Sequence, residues 1–191
     1  MYSGNVVSLE QLLSSREVRA HRQREWLESY SLPLISFTIN MVGDVKVNTI
    51  SKIAFERGVA VITGSFQRQH HSDGINENVT EDRNAEQIGT RAHICHYQSF
   101  NLDTGYEFFA AVDAISAQDL KTKMVQIEDK HPLGRLFDID VIDVDGFALS
   151  RDNMGLPRRQ CIICNDDAKI CTRSRRHSKQ DIVNKMASLV M

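Results

Sequence analysis

The stretch His131-Pro132-Leu133-Gly134-Arg135-Leu136-Phe137-Asp138-Ile139-Asp140-Val141 opens with a breaker pair and a glycine turn, then alternates as a strand does. In an extended strand, side chains i and i+2 share a face. Asp138 and Asp140 therefore lie side by side, roughly 6–7 Å apart, while Ile139 and Val141 point the other way into a core. Two carboxylates on one strand face, next to a turn carrying His131 and Arg135, suit a hydrated Mg²⁺ that also holds a phosphate chain. Mg²⁺ takes one or two carboxylates and fills its remaining positions with substrate oxygens and water. The same pattern also fits a half-buried strand with a solvated acidic face.

Working outward, Asp145-Gly146 is a two-residue turn signal, so Phe147-Ala148-Leu149-Ser150 is expected to pair back as a hairpin. Upstream, Ser116 caps a helix to about Asp129, with Leu120, Met124 and Ile127 as its apolar stripe. Before it, Ala92 to Phe100 and Tyr106 to Val112 read as two strands joined by the hairpin connection Asn101-Leu102-Asp103-Thr104-Gly105. Residues 67–88 read as a polar loop with room for a short helix. His70-His71 within it is a weak metal pair, because adjacent residues do not share a face. Asn48 or Thr49 caps a helix to about Ser65, and Leu34 to Met41 is a buried strand. Ser8 with Gln11 makes a capping box for one or two helices from Leu9 to about Ser29. Its Arg16, Arg19, Arg22 and Arg24 form either a solvated face or a source of one or two phosphate-facing cations. After an irregular tail, a last helix runs from about Gln180 to Val190. This order predicts an α+β fold, a mixed sheet with flanking helices. Residues 1–150 would be the catalytic domain, with the basic, cysteine-containing segment 151–191 packed on it in a single-domain protein.

The 191 residues suffice for one good-sized core, and a net charge of -2 gives no global nucleic-acid signature. The charge is unevenly placed. Residues 101–150 hold ten acids against four Lys and Arg, while residues 151–191 hold nine Lys and Arg against four acids. An acidic strand followed by a basic segment can grip a polyphosphate, or the two can pair with each other. No run approaches the roughly 20 apolar residues of a membrane span, and Met1 to Glu10 lacks a signal-peptide pattern. A cytoplasmic protein with reduced cysteines is expected.

Cys161-Ile162-Ile163-Cys164 is a CxxC, followed by Cys171 and His177. Three thiolates and an imidazole can complete a tetrahedral structural Zn²⁺ site. The alternative is that Ile162 and Ile163 bury Cys161 and Cys164 as small hydrophobes. A redox role lacks the thioredoxin-like surroundings it would need.

The His131–Val141 stretch resembles the signature of the holo-citrate lyase synthases, also called apo-citrate lyase phosphoribosyl-dephospho-CoA transferases. The resemblance extends to Leu149-Ser150-Arg151, to Leu156-Pro157-Arg158-Arg159-Gln160-Cys161-Ile162-Ile163-Cys164, and to the spacing of Cys171 and His177. Ser14-Ser15-Arg16-Glu17 and Pro33-Leu34-Ile35-Ser36-Phe37-Thr38 also look like it. Residues 66–90 are its weakest part.

This resemblance implies a donor, 2'-(5''-triphosphoribosyl)-3'-dephospho-CoA, and an acceptor, a serine of the apo acyl carrier (gamma) subunit of citrate lyase. Diphosphate leaves, and neither nucleic acid nor membrane takes part. That chemistry is of the nucleotidyltransferase type. Asp138 and Asp140 would hold Mg²⁺, and one of them can take the serine proton. Arg135 with Gly134, and Arg151, Arg158 and Arg159, would meet phosphates or the carrier; His131 fits either catalysis or turn packing. One departure is plain. Nucleotidyltransferases of the polymerase-β type place a Gly-Ser pair well ahead of their acids, whereas here Gly134 is followed by Arg135 and lies only four residues before Asp138. The alternatives are a sister transferase acting on the malonate decarboxylase carrier and a non-catalytic zinc-stabilised binding module.

Overall fold

A computed structural model describes residues 3–66, 92–114 and 116–191. The expected loop at 67–88, with His70 and His71, lies outside them. Helix α1 (Leu9–Tyr30) leads into strand β1 (Leu34–Ile39), then helix α2 (Thr49–Gly64) and strands β2 (His93–Leu102) and β3 (Gly105–Asp113). Helix α3 (Ala117–Lys130), strand β4 (Phe137–Ile142), helix α4 (Ala168–Ser174) and helix α5 (Lys179–Val190) follow.

Local chemistry places these boundaries. Ser8 accepts from the Gln11 amide while the Gln11 side chain accepts from the Ser8 amide, so the capping box satisfies two otherwise orphaned donors. Asn48 and Ser51 form the same reciprocal pair at α2. Ser116 and Ser178 cap α3 and α5. Gly105, at φ 132°, turns β2 into β3 where a β-carbon would be strained.

The fold is α+β, and its sheet has the strand order β2-β3-β1-β4. The expected mixed sheet is corrected: among the described residues every ladder is antiparallel. Strands β3 and β4, linked through α3, do run parallel to one another. Strand β1 lies between them and opposes both, so no parallel ladder forms. The expected 147–150 strand shrinks to a bridge, Ile142 with Ala148.

Alternation sorts the two sheet faces. Ile35, Phe37, Phe108, Ala110, Val112, Phe137, Ile139 and Val141 join α2, α3 and α5 in the main core. Phe37 meets Phe55 at 5.5 Å and Phe137 at 5.4 Å between ring centres. Burying each such ring is worth roughly 1.5–3 kcal/mol. On the opposite face, Leu34, Phe109 and Ile142 pack beneath Leu27 and Trp26 of α1. Arg22 reaches the buried Glu107 at 2.7 Å, and Gln23 donates to Ser36 at 2.9 Å. Helix α1 is thus fastened across the sheet by polar as well as apolar contacts. Among the described residues, no helix is long and apolar enough to cross a membrane.

Candidate active site

Strand β4 is the sheet's last strand, and its outer edge would normally invite another strand. Here two side chains of α3 close it. The Ile139 amide donates to Glu128 Oε1 at 2.9 Å, and the Ile139 carbonyl accepts from Lys121 Nζ at 2.8 Å. Further along, the Leu149 amide donates to the Val141 carbonyl at 2.9 Å. Since Ile139 points its backbone outward, Asp138 and Asp140 point theirs inward to β1. The ladder therefore fixes both acids. They share one face, Asp138 opposite Thr38 and Asp140 opposite Ser36.

Both carboxylates open into a cleft of about 520 Å³. Asn40, Lys121 and Glu128 line it together with Ser150, Arg151, Arg158, Arg159, Lys169 and Arg173. Glu128 organises this wall. Its carboxylate is nearly fully buried and accepts from Ile139, from Arg151 Nη2 at 2.5 Å, and from Arg159 Nη2. A buried carboxylate survives only when paired in this way. Arg159 also reaches Asp138 Oδ1 at 3.3 Å, and Arg151 spans to Asp129 at 3.0 Å. Arg158 is more exposed and sits between Asp152 at 3.1 Å and Asp167 at 3.3 Å.

The Asp140 carboxylate accepts no hydrogen bond from any described residue. It is open to the cleft, yet protein atoms crowd its other sides. That partial loss of solvent, and then the charge of Asp138, push its carboxyl above the ordinary value. Burial pushes the Lys121 ammonium below its ordinary value, while Asp140 opposes that shift. Asp138 has Arg159 as a partner, which leaves Asp140 as the open acceptor facing the cleft.

The remaining expected residues lie elsewhere. His131, Gly134 and Arg135 are not among the residues lining this cleft. His131 Nδ1 accepts from the Leu133 amide at 3.1 Å, and its ring stacks on Phe137. A β-carbon on Gly134 would stand 2.2 Å from the Glu128 carbonyl oxygen, so glycine lets this turn press against the end of α3. Arg135 donates to the Gln160 carbonyl at 2.8 Å and to Gln160 Oε1 at 2.6 Å, which ties down the chain just before Cys161. Lys121, Glu128 and Asn40 went unnoticed in the sequence. Lys121 and Glu128 are spaced i, i+7 and flank Met124 and Val125 on the same helix face, a signal that was available.

Cys161, Cys164, Cys171 and His177 converge, with all four ligand atoms within 4.8 Å of one another. Cys164 Sγ lies 3.4 Å from Cys171 Sγ and 3.3 Å from His177 Nε2. Sulfurs on a tetrahedral zinc ion stand about 3.7 Å apart, given Zn–S bonds of about 2.3 Å. Asn165, left-handed at φ 61°, turns the chain behind the CxxC, and the Ile163 amide donates to Cys161 Sγ at 3.4 Å. Burial, and then hydrogen bonding with Cys164 and Cys161, push the Cys171 thiol up to about 12. The cluster can hold a metal such as zinc, whose charge would let all three thiols ionise together.

Fold and cleft define an α+β protein whose paired acids and ring of arginines are of the kind that phosphate-group chemistry uses. The model of the family described as apo-citrate lyase phosphoribosyl-dephospho-CoA transferase matches residues 7–88 and 61–191. A protein of Vibrio cholerae serotype O1 (strain M66-2), named "Probable apo-citrate lyase phosphoribosyl-dephospho-CoA transferase", is 43% identical over 96% of this chain and 91% of its own. One from Escherichia coli O1:K1 / APEC, named apo-citrate lyase phosphoribosyl-dephospho-CoA transferase, is 32% identical over 98% of this chain and 91% of its own. The chain belongs to the apo-citrate lyase phosphoribosyl-dephospho-CoA transferase family.

Proposed function

We propose that this protein transfers the phosphoribosyl-dephospho-CoA group from 2'-(5''-triphosphoribosyl)-3'-dephospho-CoA to a serine of the apo acyl carrier subunit of citrate lyase. The observation that carries this reading is the placement of Asp138 and Asp140 on one face of β4, at the mouth of a cation-lined cleft, in a chain of this family.

The serine Oγ attacks the phosphorus next to the ribose. The bond from that phosphorus to the bridging oxygen breaks, diphosphate leaves with the electron pair, and the serine proton passes to a carboxylate. Asp138 and Asp140 would hold Mg²⁺, which when bound neutralises charge on phosphate oxygens. One of the two carboxylates would receive the serine's proton. Arg159 steadies Asp138 and, with Arg151 and Arg158, presents positive charge to the donor. We assign His131, Gly134 and Arg135 to holding the turn and the C-terminal segment in place. Cys161, Cys164, Cys171 and His177 would hold a structural Zn²⁺. Four free cysteines suit the cytoplasm, where thiols stay reduced.

The test is mass spectrometry of the apo carrier after incubation with the protein, the donor and Mg²⁺. A mass gain matching phosphoribosyl-dephospho-CoA, with release of diphosphate, is expected. An unmodified carrier overturns the reading.

A further inference from the structure

The acid pair borders a second cleft. Asn40 and Asp138 line both the large cleft and a smaller one, of about 150 Å³, between α1 and the turn of the β2-β3 hairpin. The smaller cleft is lined by Arg16, Arg19 and Lys46, together with Thr38 and Asp138.

The cations there exceed the acids available to them. Glu107 takes Arg22 at 2.7 Å, which leaves Arg19 at 3.6 Å. Arg16 has no hydrogen bond or ion pair with any described residue. Lys46 anchors its ammonium on the Met41 carbonyl at 2.6 Å. Of the other acids, Asp138 lines the cleft but takes Arg159 at 3.3 Å, and Asp44 is held by Lys179 at 2.9 Å. Burial, and then the charge of Arg16, depress the Lys46 ammonium, with Asp44 opposing and Lys179 adding to the effect. Cations gathered against one another around a concavity mark a place for an anion.

In-line displacement at phosphorus puts the entering and leaving oxygens on opposite sides. A centre at Asp138 therefore needs a receptive surface on two sides. The larger cleft falls within the roughly 300–1,000 Å³ range of small-molecule sites and suits the nucleotide part of the donor. The smaller one admits only a compact ligand.

We infer that the cleft formed by Arg16, Arg19 and Lys46 is a diphosphate subsite, which grips the two terminal phosphates of the donor and releases them as the leaving group. This rests on the transferase reading above and adds where the leaving group goes.

The test is calorimetric binding of inorganic diphosphate and, separately, of dephospho-CoA to the full chain, each with and without Mg²⁺. Arg16→Ala and Lys46→Gln should each weaken diphosphate binding by about tenfold or more, the scale of a lost charge-assisted hydrogen bond. Both should leave dephospho-CoA affinity within about twofold, whereas Arg158→Ala should do the reverse. Arg16 is exposed on a helix, so its alanine variant retains the fold. Three results overturn the subsite: no diphosphate binding by the wild type, unchanged diphosphate affinity in both variants, or weaker carrier binding in their place. Carrier modification, read in the same samples, reports on the transferase reading independently.

Discussion

Glu128 accepts a hydrogen bond from the backbone amide of Ile139 at 2.9 Å, which sets a buried carboxylate directly behind the residue that separates Asp138 from Asp140. The same carboxylate holds Arg151 and Arg159, so one side chain joins α3, β4 and the C-terminal segment. Removing it leaves one strand amide unpaired and takes the buried partner from two guanidinium groups, which keep only Asp129, the Pro157 carbonyl and Asp138.

Glu128→Ala should therefore destabilise the fold by about 3–5 kcal/mol, the range for breaking a buried ion pair from one side. Urea unfolding measures this. A loss under about 1 kcal/mol, the size of a surface pair, would mean that Glu128 is not the joint described here.

Gly134→Ala places a β-carbon against the last turn of α3, with the Glu128 carbonyl oxygen 2.2 Å away. Backbone cannot swing aside as a side chain does. The expected cost is about 1–3 kcal/mol, as for overpacking a well-filled site. An unchanged thermal midpoint would contradict the close approach.

The cysteine cluster should retain about one equivalent of zinc in protein never exposed to chelator. The Ala168 amide donates to the Arg159 carbonyl at 2.9 Å, so the cluster's own scaffold steadies the arginine beside Asp138. Cys171→Ser should lose the metal and reduce transfer together. Elemental analysis alongside a transfer assay checks both. Full transfer by metal-free protein would separate the two sites.

His131 should impose an acid limit on stability. Burial, and then the charge of Arg57, hold its pKa below the ordinary 6.5. A folded-state pKa below the unfolded one contributes stability above the unfolded value, and that contribution is lost as pH falls through the folded value. The urea midpoint should thus decline on acidification from about pH 7 to about pH 5. His131→Asn keeps an acceptor for the Leu133 amide and removes the titrating ring, so its decline should be shallower. Equal slopes for wild type and variant would refute this, and loss of transfer in the variant would restore a catalytic part to His131.

Much of this was legible because it is local. Ser8 with Gln11, Asn48 and Ser116 announced their helices through side chains that satisfy nearby amides. The Asp138-Ile139-Asp140-Val141 alternation placed both acids on one face, as observed. Sheet direction was not legible, since it depends on β1 entering between β3 and β4 from far along the chain. Helix α4 is too short for periodicity to reveal. The i, i+7 spacing of Lys121 and Glu128 beside Met124 and Val125 hints that they face inward, but not at what they meet. Their burial arises only because an exposed strand edge needs partners, and a single helix cannot declare that need.

The central claim is that the acid pair on β4 carries the reaction. Apo carrier incubated with donor and Mg²⁺ should gain the phosphoribosyl-dephospho-CoA mass with wild-type protein. It should gain none with Asp138→Asn or Asp140→Asn, although both variants keep the wild-type circular dichroism. Complete carrier modification by both folded variants would contradict the account.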